Sequence, residues 1–146
     1  MNLARNLTFA AASSLLALAG CASTAPGAGN AAQRQLASSA QILDDNARVL
    51  AARADGETAP GFALDAHELE QHAYDLRVAA RSGRASEGEL RADFDEVTRS
   101  YQALRDDVQR LDTQQAHADL ALVNDAYHGV ASRMASVPAS ANAPGS

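Results

Sequence analysis

The sequence contains one cysteine, no tryptophan and no lysine among its 146 residues. A single thiol leaves no partner for a disulfide within the chain, so the fold cannot depend on one. Aromatic residues make up 4% of the chain, whereas alanine is abundant. Few aromatic residues and many alanines favour closely packed helices with a modest core over a sheet. The length is enough for one domain.

Acidic residues outnumber basic ones. Eighteen Asp and Glu against twelve Arg give a formal net charge of −6. Removing residues 1–20 would remove Arg5 and leave 11 Arg against 18 acids, or −7. This balance argues against binding nucleic acid or anionic lipid headgroups through a basic patch. We therefore expect no nucleic-acid partner.

The first twenty residues have the pattern of an export signal. Arg5 is their only charged residue, and only three hydroxyl residues interrupt the apolar run over 7–19. That run is shorter than the roughly 20 apolar residues that a membrane-spanning helix needs. We predict that residues 1–20 are a signal peptide.

The signal ends in Leu18-Ala19-Gly20-Cys21. This stretch resembles the lipobox of bacterial lipoproteins, in which an aliphatic residue and two small residues precede a cysteine. The resemblance covers the first 21 residues. It implies that Cys21 accepts a diacylglyceryl group and becomes the acylated first residue after cleavage, with no cofactor besides this covalent lipid. The alternative is an ordinary secretory signal cut nearby, which would leave a free thiol.

The residues after Cys21 bear on where the protein resides. Ala22 occupies the place where an Asp would resemble an inner-membrane retention signal, so we expect anchoring in the outer membrane, facing the periplasm. Residues 21–30 are rich in Ala, Gly, Ser, Thr and Pro and are predicted to form a flexible tether. Residues 138–146 have a similar composition and are predicted to be a disordered tail.

Two heptad seams dominate the remaining chain. The apolar residues of the first are spaced by alternating steps of four and three: Leu90, Phe94, Val97, Tyr101, Leu104, Val108 and Leu111. The second has the same spacing: Ala116, Leu120, Val123, Tyr127, Val130, Met134 and Val137. Each seam predicts a long amphipathic helix. The second starts one residue out of phase, which indicates either a tight turn at Asp112-Thr113 or one long helix with a skip. We favour the turn, since either residue can cap a helix.

The periodicity predicts an all-α, up-down-up-down four-helix bundle over residues 31–137. Its helices are expected at about 31–54, 66–81, 87–111 and 114–136. Asp65 with Glu68 and Ser86 with Glu89 have capping-box spacing, and Leu64 with Leu69 has the spacing of a hydrophobic staple. Pro60-Gly61 indicates a loop, from which Phe62 would cover one end of the bundle.

Several side chains carry further expectations. Gly56 suits a left-handed helix cap, and Gly83 would end the second helix. Ile42 and Val49 would widen the buried stripe of the first helix, and Gly129 would permit a close helix crossing. On the third helix, acid–arginine pairs four residues apart indicate a solvated face: Glu87–Arg91, Asp95–Arg99 and Asp106–Arg110.

Four histidines are the residues to consider for a metal site: His67, His72, His117 and His128. Glu68 with His72 and Asp125 with His128 share helix faces, so these four residues are weak candidate ligands. A carboxylate-bridged di-metal bundle needs two Glu-x-x-His motifs, and the chain has only one Asp-x-x-His. We therefore expect partly exposed histidines and no metal site. Tyr74, Tyr101 and Tyr127 are interpreted as core residues whose hydroxyls reach water, not as a ligand pocket.

No nucleophile elbow, phosphate-binding loop or zinc-protease motif occurs in the sequence. We therefore expect no enzyme. The prediction is a membrane-anchored periplasmic lipoprotein, a non-enzymatic interaction or structural module of the cell envelope. Its partner would be an envelope protein or a second copy of the chain. The alternative is a periplasmic helical protein that binds a metal or small ligand, or senses stress.

Overall fold

The computed structural model of the protein describes residues 28–56, 60–111 and 113–137. These residues form four α-helices: α1 (Ala28–Ala54), α2 (Pro60–Ser82), α3 (Glu87–Leu111) and α4 (Gln114–Met134). No strand occurs in these ranges. The predicted signal peptide, Cys21 and the predicted tail lie outside them. Because α1 begins at Ala28, the predicted tether loses its last three residues to this helix.

The helices are arranged as an antiparallel square. Each packs on its neighbour in the chain and α4 returns to α1, whereas no Cα atoms of the diagonal pairs α1–α3 and α2–α4 lie within 8 Å of each other. The all-α four-helix bundle is thus confirmed. The backbones of α1 and α2 pack most closely, since their facing residues are mainly Leu and Ala, and those of α3 and α4 pack least closely.

The heptad seams form the core. Leu90, Val97, Leu104 and Val108 of α3 are 0% exposed, and Val123 and Val130 of α4 are equally buried. On α1 the buried stripe is narrower than predicted. Ile42 is 55% and Val49 is 49% exposed, so the prediction that they widen the stripe is wrong. A helix on a bundle edge buries only the residues that face its two neighbours.

Helix α2 starts at Pro60, six residues before the predicted start. Proline suits the first turn of a helix because its missing N–H would have no helical partner there. Phe62 is buried as predicted, but from the first turn of α2 instead of from a loop. Asp65 consequently lies inside the helix and Leu64 is 59% exposed, so the predicted capping box and staple at this end are wrong.

The boundaries around α3 agree with the sequence. The Ser86 N–H donates to Glu89 Oε2 at 2.7 Å and the Glu89 N–H donates to Ser86 Oγ at 3.2 Å, which confirms this capping box. The Ser86 N–H and then the Ser86 hydroxyl, which both donate to Oε2 of Glu89, lower the pKa of this carboxyl group. Thr113 caps α4 by accepting the Ala116 N–H. The prediction of a turn between α3 and α4 is therefore confirmed.

The backbone conformation and surroundings of three glycines test the predictions made for them. Gly83 has a φ of 65° and ends α2, as predicted, whereas Gly56 does not adopt this left-handed conformation. A Cβ at Gly129 would meet no atom within 4 Å. The prediction that Gly129 permits a close helix crossing is therefore wrong.

Candidate interaction surface

The four weak metal-ligand candidates lie on α2 and α4, which are diagonal in the bundle. Glu68 is exposed, and His72 is half-buried against α3. Asp125 and His128 are exposed on α4. The structure does not bring the two pairs together. The described ranges also contain no group of three or more His, Cys, Asp or Glu suited to a metal ion.

His72 pairs instead with a residue that sequence reasoning missed. Its Nδ1 lies 2.6 Å from the Oγ of Ser100, which is 4% exposed and also donates to the carbonyl of Glu96 at 3.1 Å. A serine nucleophile needs an oriented base and donors for the oxyanion. Ser100 lies inside α3, where the backbone N–H groups bond along the helix and do not serve as donors for an oxyanion. The contact between His72 and Ser100 therefore serves to join α2 to α3. No sequence signal links two residues 28 positions apart on different helices.

Three stacked rings occupy the α3–α4 interface. The ring of Tyr127 lies 4.3 Å from that of Tyr101 and 5.7 Å from that of Phe94. Tyr101 donates its hydroxyl to Asn124 Oδ1 at 2.6 Å, and the hydroxyl of Tyr127 lies 3.2 Å from Thr98 Oγ1. Burial raises the pKa of Tyr101. Tyr101 and Tyr127 pack in the core, as predicted. Their hydroxyls, which were predicted to reach water, bond to side chains.

Tyr74 departs from the core interpretation. It is 43% exposed on α2, and the guanidinium of Arg77 lies 4.8 Å from its ring centroid.

The side chain of Arg77 is held in place by residues of α1. Its Nη1 lies 2.9 Å from Oδ2 of Asp44, whose side chain is 0% exposed, and it also donates to Gln41. Burial raises the pKa of Asp44, whereas Arg77 and then Arg48 lower it.

The charged network continues along α1 and α2 towards their connection. Arg48 reaches from Asp44 to Glu70, with distances of 3.2 Å to each carboxylate. His67 lies beside it, with Nε2 3.0 Å from Asp55 Oδ1 and Nδ1 3.5 Å from Glu70 Oε2. The hydrogen bond with Asp55 is the main reason that the pKa of His67 is raised. Of these contacts, Arg48–Glu70 and His67–Asp55 connect α1, or the residue that follows it, to α2. Because their side chains are largely exposed, each of these two pairs adds little to stability.

A groove of 280 Å³ runs between α1 and α4. Its walls are Ser39, Ile42, Asn46, Leu122, Asp125, Ala126 and Gly129. Leu122 is 56% exposed, and Asn46 donates to its carbonyl at 3.0 Å, which joins the two helices. The missing side chain of Gly129 leaves the groove open. Its mainly apolar walls can contact another apolar surface, but they offer few polar groups to orient a small substrate.

No family model, curated protein or solved structure matches the chain. Within the described ranges, none of the four helices is both long and apolar enough to cross a membrane.

Proposed function

We propose that the protein is a lipid-anchored component of the bacterial cell envelope, whose helical bundle is a non-enzymatic interaction or structural module. The observation that carries the proposal is the Leu18-Ala19-Gly20-Cys21 motif at the end of an apolar run. Two or more acyl chains on Cys21 would hold the protein on a membrane without a spanning helix. The residue after Cys21 favours the outer membrane, with the bundle in the periplasm.

The short length of chain between Cys21 and the bundle is consistent with this arrangement. Helix α1 begins at Ala28, seven residues after Cys21. Seven extended residues span at most about 25 Å. An anchor at Cys21 would therefore keep the start of α1 close to the membrane surface, with a short tether between lipid and bundle.

The polar clusters of the described residues support a non-enzymatic role. The Asp44 carboxylate, buried within the bundle, contacts arginines of α1 and α2, and the His72–Ser100 pair joins α2 to α3. Each cluster is accounted for by helix packing. The alternative, a protein that binds a metal or small ligand, depends on histidines and acids that lie on diagonal helices. A large rise of the melting temperature with divalent metal ions would favour that alternative.

Acylation is tested directly by producing the full chain in a Gram-negative host and measuring the mass of the mature protein. We expect a mature chain that begins at Cys21 and carries covalent acyl groups, recovered with the outer membrane after fractionation. The control is Cys21→Ala, which should be neither acylated nor recovered in membranes. A mature wild-type protein with an unmodified thiol would refute the proposal.

The role as an interaction module is tested by chemical crosslinking in intact envelopes. We expect a defined adduct, with either an envelope protein or a second copy, that depends on the anchor and disappears in Cys21→Ala. A protein that gives the same adducts with and without the anchor would contradict a role at the membrane.

A further inference from the structure

The arginines of the bundle fall into two groups. Eleven lie in the described ranges, and seven of them lie within 4.0 Å of an acidic side chain. The other four form no ion pair with a described residue: Arg34, Arg81, Arg84 and Arg133. Only Arg133 among these four has a side-chain hydrogen bond within the described ranges, to Gln35 Oε1 at 3.1 Å. We call these four residues the basic pole.

The basic pole lies at one end of the bundle. Arg34 is in the second turn of α1, Arg81 is in the last turn of α2, and Arg133 is in the last turn of α4. Arg84 follows α2 in a connection that Gln33 holds against α1 by donating to the carbonyl of Ala85 at 2.8 Å. Because the helices are antiparallel, all four arginines surround the start of α1.

The acidic residues are distributed differently. In the half of the bundle near the start of α1 (28–41, 72–99 and 125–137), seven acids balance seven arginines, and five of these acids lie on α3. The opposite half (42–56, 60–71, 100–111 and 113–124) has nine acids against four arginines. The acidic net charge of the chain therefore conceals a basic surface on the α1, α2 and α4 side of one end.

This surface includes a depression that is lined by arginines. Arg34 and Arg81 line opposite walls of a 470 Å³ groove between α1 and α2, with Ala37 and Ser38 beside them. Arg77 also lines it, but its guanidinium is paired with Asp44. Guanidinium and hydroxyl groups are the donors that phosphate oxygens bind in proteins.

We propose that the basic pole contacts the phosphates of anionic phospholipids in the membrane that holds the lipid anchor. The inference rests on the proposed acylation of Cys21, which would place the start of α1 within about 25 Å of the bilayer. The phosphates of anionic headgroups attract arginine near the surface, which adds to the anchor and orients the bundle. The bundle would then stand with its acidic end away from the membrane.

The test uses acylated protein reconstituted into vesicles that contain a headgroup-labelled dansyl lipid. Because the chain has no tryptophan, a single one can serve as the energy donor. Ser132→Trp places it at the basic pole, and Ala52→Trp places it near the opposite end, both at exposed positions. We expect greater transfer from the pole reporter in equal parts phosphatidylcholine and phosphatidylglycerol than in phosphatidylcholine alone. The far reporter should show little transfer in either.

Matched variants separate the basic pole from net charge. Arg34→Gln/Arg81→Gln should lower the ratio of docked to undocked protein roughly thirty-fold, about fivefold for each arginine. The control Arg99→Gln/Arg105→Gln removes the same charge from exposed positions of α3 and should behave as wild type. Raising the salt from about 0.1 M to about 1 M should weaken docking by screening the charges. Circular dichroism confirms that each variant is folded.

The outcomes distinguish this inference from the proposed function. The mass of the purified protein is measured first, and a chain without acyl groups would overturn both. An acylated protein whose pole reporter gives equal transfer in the two vesicles would overturn only the basic-pole inference. So would an Arg34→Gln/Arg81→Gln variant that docks as well as the control.

Discussion

Replacing Arg77 by methionine tests how much the ion pair between Arg77 and the buried carboxylate of Asp44 contributes to stability. The side chain of Asp44 is 0% exposed, and Arg77, at 18%, is its more buried partner. Removing one member of a buried ion pair costs about 3–5 kcal/mol, because the remaining charge stays where water cannot solvate it. Arg48 still contacts Asp44 at 3.2 Å, so we expect the lower end of this range, about 3 kcal/mol.

Urea unfolding followed by circular dichroism measures the effect. The chain is made without residues 1–20 and with Cys21→Ser, so that it stays in solution. With an m-value of about 1.5 kcal/mol/M, the midpoint of Arg77→Met should fall by about 2 M urea.

The pH dependence supplies a second measurement. Burial raises the pKa of Asp44 above its usual 3.8, although Arg77 and Arg48 lower it. The folded state therefore binds this proton more tightly than the unfolded chain does. The ionised carboxyl opposes folding, so its contribution improves as the pH falls through the raised pKa. Without Arg77 the pKa should rise further. The destabilisation by Arg77→Met should consequently be smaller at about pH 5 than at about pH 7.

Two control variants make the result decisive. Arg48→Met removes the partner that is 52% exposed and should destabilise clearly less. Asp44→Leu/Arg77→Met leaves neither charge buried and should regain most of the lost stability. Arg77 is not the partner that stabilises buried Asp44 if Arg77→Met costs no more than Arg48→Met, or if the double variant is no more stable than Arg77→Met.

Five further substitutions can be measured by the same unfolding assay. Leu104→Ala should cost about 2–5 kcal/mol because the side chain is fully buried, whereas Leu122→Ala, at a 56% exposed position, should stay within about 0.5 kcal/mol of wild type; equal losses would contradict the assigned core. Gly83→Ala should destabilise by about 1 kcal/mol because of its positive φ, whereas Gly129→Ala should stabilise by a similar amount, since its Cβ meets nothing and alanine favours the helix. Ser86→Ala should lose about 1 kcal/mol with the capping box, and an unchanged midpoint would remove that role.

Predictions that depend on local helical periodicity were more accurate than those that depend on how side chains pack. The seams of α3 and α4 were read correctly, since helical periodicity is local and each seam has enough large apolar residues to define a face. The salt bridges of α3 were less predictable. Glu87–Arg91 forms as predicted, but Arg99 pairs with Glu96 and Arg110 pairs with Asp107. Acids three and four residues away compete for each arginine, and side-chain packing selects between them.

The candidate surfaces were largely beyond sequence reasoning. The His72–Ser100 pair and the Asp44–Arg77 ion pair each join two helices, so neither has a fixed spacing in the chain. The acidic net charge argued against binding nucleic acid or anionic lipid headgroups through a basic patch. The structure instead leaves four arginines without ion pairs among the described residues and places them around the start of α1. A sum of charges contains no information about where the antiparallel helices place them.

The sequence by itself determined the type of element and the capping box of α3, favoured a turn between α3 and α4, and left Asp112 and Thr113 as alternative caps of α4. These features depend on contacts within a few residues, where spacing and residue type are sufficient. Tertiary structure alone decided the start of α2, where burial of Phe62 extends the helix back to Pro60. It also decided which apolar residues remain in water, as Ile42 and Leu122 do. These outcomes depend on which faces of neighbouring helices meet, and that choice is made by packing the whole bundle.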